Sequence, residues 1–142
     1  MLLTPEKSLC EKKQAIVVSK DPGKPRAHRA VNPKRTYSLR HYRLDGELVK
    51  NETCCDFLLV NDSMRKAYLI ELKGEHIDDA VEQLEAGERK VRSDLSGYIF
   101  YYRIVGSKAR THKINGNKLR RFKEKCGKRL VIKENVLEET LN

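Results

Sequence analysis

The chain has 142 residues and a formal net charge of +10, with hydrophobic residues at 39% and charged residues at 35%. This length predicts one domain with a core of its own, and the composition is that of a soluble globular protein with a charged surface. No apolar run approaches the roughly 20 residues of a membrane span, and the chain start lacks the apolar stretch of a secretory signal. We therefore expect a cytoplasmic protein that has no membrane partner.

The first 35 residues are predicted to form a basic helix and arm. Thr4 fits the N-cap of a helix that has Pro5 in its first turn and runs to about Gln14. Residues 15–18 are apolar and predict a short strand. A turn-rich basic linker follows, and we expect such an arm to become ordered only on a nucleic acid.

Three strands are predicted next, at 36–44, about 54–60 and 66–73, because β-branched and aromatic residues alternate or cluster there. Asp45-Gly46 marks a tight turn between the first two of these strands. Two short connections of this kind predict an antiparallel meander.

Helical and strand patterns then alternate to the end of the chain. Apolar residues recur at helical spacing from about His76 to Arg92, and the run 98–105 is apolar on both faces except at Arg103, as in a covered strand. The remaining predicted elements are a basic helix from Asn117 to Cys126 ended by Gly127, a strand at 130–132, and an acidic tail from Asn135.

This order of elements predicts an α/β fold. A meander followed by a crossover helix and a further strand indicates a mixed β-sheet flanked by helices on its faces. The predicted division is a basic N-terminal helix and arm at 1–35, a central domain at 36–134 and an acidic tail at 135–142.

Charge is distributed unevenly along the chain. Residues 1–44 hold 11 Lys/Arg against 3 Asp/Glu, residues 45–88 hold 4 against 12, and residues 89–133 hold 15 against 2. An acidic centre is thus bracketed by basic segments, which favours a polyanionic partner over a merely solvated basic surface.

Asp56 and the tripeptide Glu71-Leu72-Lys73 carry the strongest chemical signal. Asp56 precedes one predicted strand, and the tripeptide closes the next. Side chains alternate along a strand, so Glu71 and Lys73 share a face, and antiparallel pairing brings Asp56 beside them. Two carboxylates and an ammonium are what Mg²⁺-dependent phosphodiester cleavage requires. The alternative interpretation is an exposed ion pair at a strand end.

The four cysteines predict neither a zinc site nor a redox motif. Cys10, the adjacent Cys54 and Cys55, and Cys126 form no Cys-x-x-Cys pair and have no histidine at a zinc-finger spacing. Cys54 and Cys55 are interpreted as small buried residues that flank the Asp56 strand.

Asp56, Glu71-Leu72-Lys73 and the αβββαβ order of elements resemble the PD-(D/E)XK nuclease superfamily, which includes type II restriction enzymes and archaeal Holliday-junction resolvases. The resemblance covers about residues 36–105 and implies a restriction-endonuclease-like core. It implies that Asp56 and Glu71 bind Mg²⁺ or Mn²⁺ with help from the Leu72 carbonyl, and that Lys73 is the catalytic cation. Cys55 replaces the proline that often precedes the aspartate.

Further site residues are suggested by the same resemblance. Several subfamilies add a glutamine on the following helix, and Gln83 matches it; a solvent-facing helix residue is the alternative. Glu47 or Glu52 could supply an additional acid, although each also fits an ordinary place in the hairpin. His41 and His76 are candidate auxiliary groups for which a structural or exposed role is the simpler interpretation.

The sequence thus predicts a metal-dependent endo- or exonuclease that acts on nucleic acid, DNA in preference to RNA. The alternative hypothesis is a catalytically inactive nucleic-acid-binding or partner-binding module that keeps the nuclease fold. By analogy with resolvases and restriction enzymes, a homodimer is one expected assembly. Candidate nucleic-acid-binding residues are the basic ones of the arm and the later helix: Lys34, Arg35, Lys118, Arg120, Arg121, Lys123 and Lys125.

Overall fold

The structure, a computed structural model, describes residues 1–73, 77–107 and 117–142. Over these residues the protein has an α/β fold with a five-stranded sheet, a three-stranded sheet and two α-helices. The strands are β1 Ile16–Lys20, β2 Ala27–Val31, β3 Leu39–Arg43, β4 Phe57–Asn61, β5 Lys66–Lys73, β6 Ile99–Gly106, β7 Leu130–Glu134 and β8 Val136–Thr140; the helices are α1 Ile77–Val91 and α2 Asn117–Cys126.

The five-stranded sheet has the order β3-β4-β5-β6-β7 and is mixed. The pairs β3–β4 and β4–β5 are antiparallel, whereas β5–β6 and β6–β7 are parallel. Helix α1 is the crossover between the parallel strands β5 and β6, so it runs in the opposite direction to them. The predicted meander, crossover helix and following strand are confirmed.

Both described helices pack on one face of this sheet. Apolar residues of α1 and α2 join alternate residues of β4 and β5, such as Leu58 and Leu69, in one buried cluster. Gly87 lets α1 approach closely, since a Cβ at this position would lie 2.6 Å from the Cys55 sulfur. Cys54 and Cys55 are buried in this cluster, as predicted.

The opposite face is covered by the three-stranded sheet, which has the order β1-β2-β8. Val17 and Leu137 of the small sheet pack with residues such as Leu59 and Ile70 of the large one in a second buried cluster. The prediction of helices on the sheet faces is therefore corrected: within the described ranges, helices cover one face and a sheet covers the other.

A buried ion pair joins the two sheets. The guanidinium of Arg103 on β6 donates to both carboxylate oxygens of Glu139 on β8, at 2.7 and 3.0 Å, and also to the carbonyls of Tyr102 and Arg129. Glu139 makes a further 2.6 Å hydrogen bond with His28 Nε2, and His28 is fully buried. The charged residue in an otherwise apolar strand is explained by this partner on β8.

The N-terminal region differs from the prediction. The helix expected from Thr4 to about Gln14 is wrong, because only Pro5–Lys7 forms a 3₁₀ turn and Ser8 is already extended. The Thr4 side chain makes no cap hydrogen bond, and the segment is instead held by its backbone, with the N–H of Leu9 donating to the His41 carbonyl at 2.6 Å.

The expected short strand near residues 15–18 is confirmed as β1, and residues 27–31, interpreted as part of a basic arm, form β2. The acidic segment after Asn135 forms β8, which pairs in parallel with β2. The division of the chain into arm, domain and tail stays a prediction. The described part of the chain contains no helix that is both long and apolar enough to cross a membrane.

Candidate metal-binding and catalytic site

The C-terminal ends of β3 and β5 and the N-terminal end of β4 lie together at one end of the large sheet. The register pairs Arg43 at the end of β3 with Phe57 at the start of β4, and Phe57 with Ile70 of β5. Asp56, which precedes β4, therefore lies beside Glu71 near the end of β5. The predicted convergence of the two acids is present in the geometry.

Two backbone hydrogen bonds hold the acids in place. The Asp56 N–H donates to Glu71 Oε1 at 3.1 Å, and the Leu72 N–H donates to Asp56 Oδ2 at 2.9 Å. Each carboxylate is thus fixed by the backbone of the strand that carries the other acid, which orients both groups without a side-chain partner.

Both acids are shielded from water, with exposed fractions of 9% for Asp56 and 2% for Glu71. Burial, followed by the charge of Asp56, raises the pKa of Glu71 to about 9, although the Lys73 ammonium and the Asp56 N–H oppose this rise. Burial also raises the pKa of Asp56, against the opposing effect of the Leu72 N–H. Without a bound cation, Glu71 is therefore protonated at neutral pH.

Two further acids influence this site, and the sequence interpretation missed both. After burial and the Leu72 N–H, the charge of Asp21 is the next influence on the pKa of Asp56, which it raises; Arg43 lowers this pKa, and Asp45 raises it. Asp21 is itself paired with Arg43 at 2.6 Å. Asp45 could have been found from sequence, because it follows the strand that pairs with the start of β4.

Lys73 lies on the same face of β5 as Glu71 by strand alternation, and its side chain is half-buried. Over the described ranges, no ion pair within 4 Å joins Lys73 to Glu71, although the charge of Lys73 lowers the pKa of Glu71. The alternative interpretation of an exposed strand-end ion pair is therefore wrong, because Glu71 is buried and its carboxylate is not in contact with the ammonium.

Gln83 stands on α1 one turn before Gly87, on the face of the helix that meets the sheet. Gly87 lies against Cys55 and Leu69, and one turn of a helix antiparallel to β5 advances about as far as the two residues from Leu69 to Glu71. Gln83 is thus level with Glu71. Its carbonyl oxygen Oε1 is buried and accepts no hydrogen bond from the described residues.

The other candidate side chains lie elsewhere. Glu52 is exposed and pairs with Lys90 at 2.7 Å, and Glu47 is exposed. His41 is buried between the two sheets, where Nε2 makes a 2.9 Å hydrogen bond with Ser19, which agrees with the structural role that was its simpler interpretation. His76 lies outside the described residues.

The predicted nucleic-acid-binding residues fall into two groups that the fold separates. Lys34 and Arg35 are exposed in a 3₁₀ turn that precedes β3, at the opposite end of this strand from Arg43. The second group lies on α2, which buries Leu119 and Phe122 and exposes its basic side. Its exposed members are Lys118, Arg120, Arg121, Lys123 and Lys125, of which Lys118 pairs with Glu82 of α1.

The site offers oxygen donors to a divalent cation. Asp56, Glu71 and the Leu72 carbonyl offer hard oxygen ligands, and Mg²⁺ is commonly bound by only one or two carboxylates while it keeps several waters. Within the described ranges, no group of three or more His, Cys, Asp or Glu side chains is placed to hold a metal ion. The donor set therefore fits Mg²⁺ or Mn²⁺ and does not fit a zinc site that requires four protein ligands.

A scan against protein-family models and searches of curated proteins and of solved structures found no match to this chain. The function is therefore inferred from the chain's own residues and their geometry.

Proposed function

We propose that the protein is a metal-dependent nuclease that hydrolyses phosphodiester bonds in nucleic acid, with DNA the preferred substrate. The observation that carries the proposal is the pair of buried carboxylates, Asp56 and Glu71, held together at the sheet end, where neither forms an ion pair with another described residue. Like charges in such a place raise each other's pKa, so the arrangement is costly to the fold unless a positive ion occupies it.

The topology supports a restriction-endonuclease-like core. The antiparallel strands β3, β4 and β5 are followed by α1 and then by β6 parallel to β5, which corresponds to the βββαβ part of the resemblance. The acids also fall on the two strands that the resemblance implies. The first helix of the αβββαβ pattern has no counterpart in the described segment before β3, where strands β1 and β2 stand instead.

In the proposed mechanism, Asp56, Glu71 and the Leu72 carbonyl would hold Mg²⁺ or Mn²⁺. Such an ion would supply Lewis-acid stabilisation of the phosphate oxygens and a lowered pKa of water. Lys73 would stabilise the negative charge that develops on the phosphate in the transition state. Gln83 would orient the attacking water through its unpartnered carbonyl oxygen.

The exposed basic side of α2 supports a polyanionic substrate. Arg120, Arg121, Lys123 and Lys125 point to solvent on this helix, and such residues bind phosphate groups by releasing condensed counterions. Arg and Lys contacts of this kind position a nucleic acid without reading its sequence.

One observation favours the alternative function of a non-catalytic binding module. Only two carboxylates converge in the described ranges, and Glu71 is protonated at neutral pH in the absence of a cation. A protein that binds nucleic acid without cutting it would tolerate a neutral Glu71. The two hypotheses differ in whether Mg²⁺ elicits cleavage.

The test is cleavage of labelled single-stranded, duplex and flap DNA and of RNA with Mg²⁺, using EDTA as the metal-free condition. We expect Asp56→Asn and Glu71→Gln to lower the single-turnover rate by at least about 10²-fold, with equal or tighter binding because an acid near phosphate has been removed. Glu52→Gln, a matched change at an exposed acid, should cut like the wild type. Cleavage by both site variants at the wild-type rate would refute the proposal.

A further inference from the structure

A groove of about 740 Å³ opens at the same end of the sheet as the two acids. One wall is the N-terminal segment with Lys7 and Leu9, and the other is the end of β1 with Lys20 and Pro22. Its floor is formed by Arg43 of β3 and Phe57 of β4, which are paired in the sheet. The volume lies within the range of sites that enclose small ligands.

The walls of this groove are fixed by hydrogen bonds and an ion pair. The Leu9 N–H donates to the His41 carbonyl of β3 at 2.6 Å, which attaches the first wall to the sheet. The second wall is attached through Asp21, whose carboxylate pairs with Arg43 at 2.6 Å. The groove is therefore formed before any ligand binds.

The lining combines positive charge with apolar surface. Lys7, Lys20 and Arg43 line the groove together with one acid, Glu47, and the Arg43 charge is paired with Asp21, so the two lysines carry the positive charge. The apolar part includes Leu9, which is 59% exposed, whereas the floor residue Phe57 is only 4% exposed and is covered by the His41 ring and the Arg43 guanidinium. Cations for phosphates beside exposed apolar surface for bases and sugars are a combination that fits an unpaired nucleic acid strand. The remaining apolar lining residues are Pro22 and Leu48.

The position of the groove relative to the acids favours a flexible ligand. Phe57 lies on the face of the large sheet that the small sheet covers, whereas Asp56, the preceding residue, lies on the helix face by alternation. A ligand that reaches both must bend sharply around the sheet end. A duplex resists such bending, since its persistence length is about 50 nm, but a single strand does not.

We propose that this groove binds an unpaired stretch of a nucleic acid strand, which passes from Asp56 and Glu71 around the end of the sheet into the groove. The proposal rests on the proposed nuclease function for its substrate class, and it makes a tailed or flapped strand, not a blunt duplex, the preferred substrate. The phosphates of the unpaired strand would contact Lys7 and Lys20, and its bases would contact the exposed apolar residues Leu9 and Pro22.

The experiment measures fluorescence anisotropy of the full chain with three labelled probes in EDTA, where no cleavage occurs: a blunt duplex, the same duplex with an unpaired DNA tail, and the duplex with an RNA tail. The wild type should bind a tailed duplex several-fold more tightly than the blunt one. The double variant Lys7→Ala, Lys20→Ala and the variant Leu9→Ser should each lose this preference, while binding of the blunt duplex changes less than twofold.

The matched control is the double variant Lys13→Ala, Arg65→Ala, which removes two exposed charges away from the groove, since Arg65 lies in the β4–β5 turn at the other end of the sheet. It should keep the preference for either tail. Circular dichroism confirms that each variant is folded.

Two results would overturn the inference: equal affinity of the wild type for blunt and tailed probes, or a loss of the tail preference that is the same in the control and in the groove variants. Because binding is measured without metal, failure of the nuclease proposal appears separately, as an absence of Mg²⁺-dependent cleavage with the tail preference intact.

Discussion

Two buried groups of charged side chains lie on opposite faces of the five-stranded sheet, and they differ in how their charge is balanced. Between the sheets, Glu139 is matched by Arg103 and His28. Hydrogen bonds from these two partners outweigh partial burial and lower the pKa of Glu139 to about 2. On the helix face, the carboxylates of Asp56 and Glu71 accept backbone hydrogen bonds and form no ion pair with another described residue, and burial raises the pKa of Glu71 to about 9.

The Glu139 group and the Asp56–Glu71 pair therefore suit different roles. A partly buried carboxylate that accepts two hydrogen bonds from one guanidinium fixes the position of one sheet on the other. A buried carboxylate without a neighbouring cation is neutral at neutral pH, and its ionised form would lower the stability of the fold. Titratable groups whose pKa is strongly shifted in this way are concentrated at functional sites. The inter-sheet carboxylate thus has its cation within the fold, whereas the two acids at the sheet end form no ion pair with another described residue.

The largest expected effect comes from breaking the structural pair. Arg103→Met should lower the free energy of unfolding by about 3–5 kcal/mol, the cost of removing one partner from a buried ion pair. The measurement is urea denaturation at neutral pH. Arg29→Met is the matched control, because Arg29 of β2 pairs with Glu138, the neighbour of Glu139 on β8, but at an exposed position, where the loss is below about 1 kcal/mol. Equal losses in the two variants would contradict the structural assignment.

Lys73 provides the next test, on the other side of the comparison. Lys73→Ala should lower the single-turnover cleavage rate by about 10²-fold, the effect of removing one preorganised electrostatic group. Its stability should change by less than about 1 kcal/mol, since no ion pair is lost within the described ranges. Metal affinity should hardly fall, because both acids remain. Cleavage within a few-fold of the wild type would favour the binding module.

The smallest effect, taken per pH unit, is a difference in pH dependence. The ordinary pKa of Glu71 is 4.5 and its pKa in the fold is about 9, so the folded protein holds a proton that the unfolded chain has released over this range. Metal-free wild type should therefore lose up to about 1.4 kcal/mol of stability per pH unit as the pH rises through this window.

Glu71→Gln has no such proton, and its oxygen can still accept the Asp56 N–H. Unfolding free energies are measured in EDTA. The value for Glu71→Gln should rise relative to that of the wild type as the pH is raised from about 5 to about 8. A difference between the two proteins that stays constant with pH would show that Glu71 is not buried in the protonated form. A larger value for Glu71→Gln at high pH, together with lost cleavage, would show an acid retained at a cost to stability.

Local pattern was sufficient for most elements of this chain. The helical spacing that predicted a helix to about Arg92 corresponds to α1, the basic helix at Asn117–Cys126 has its predicted bounds, and the β4–β5 hairpin places Asp56 beside Glu71. These features depend on periodicity and on short connections, which neighbouring residues encode. The nuclease activity, the metal and the nucleic acid stay predictions that these elements support.

Only the tertiary structure decided how the chain ends are used and how the acids behave. Strand β2 pairs with β8 from more than 100 positions later in the chain, His28 opposite Leu137 for example, and no local pattern encodes a partner at that distance. The pKa of Glu71 depends likewise on burial and on the charge of Asp56 beside the neighbouring strand. Sequence by itself determined which residues carry the charge; the packing of distant segments decided which of these charges are neutralised, because burial and contact arise only when those segments meet.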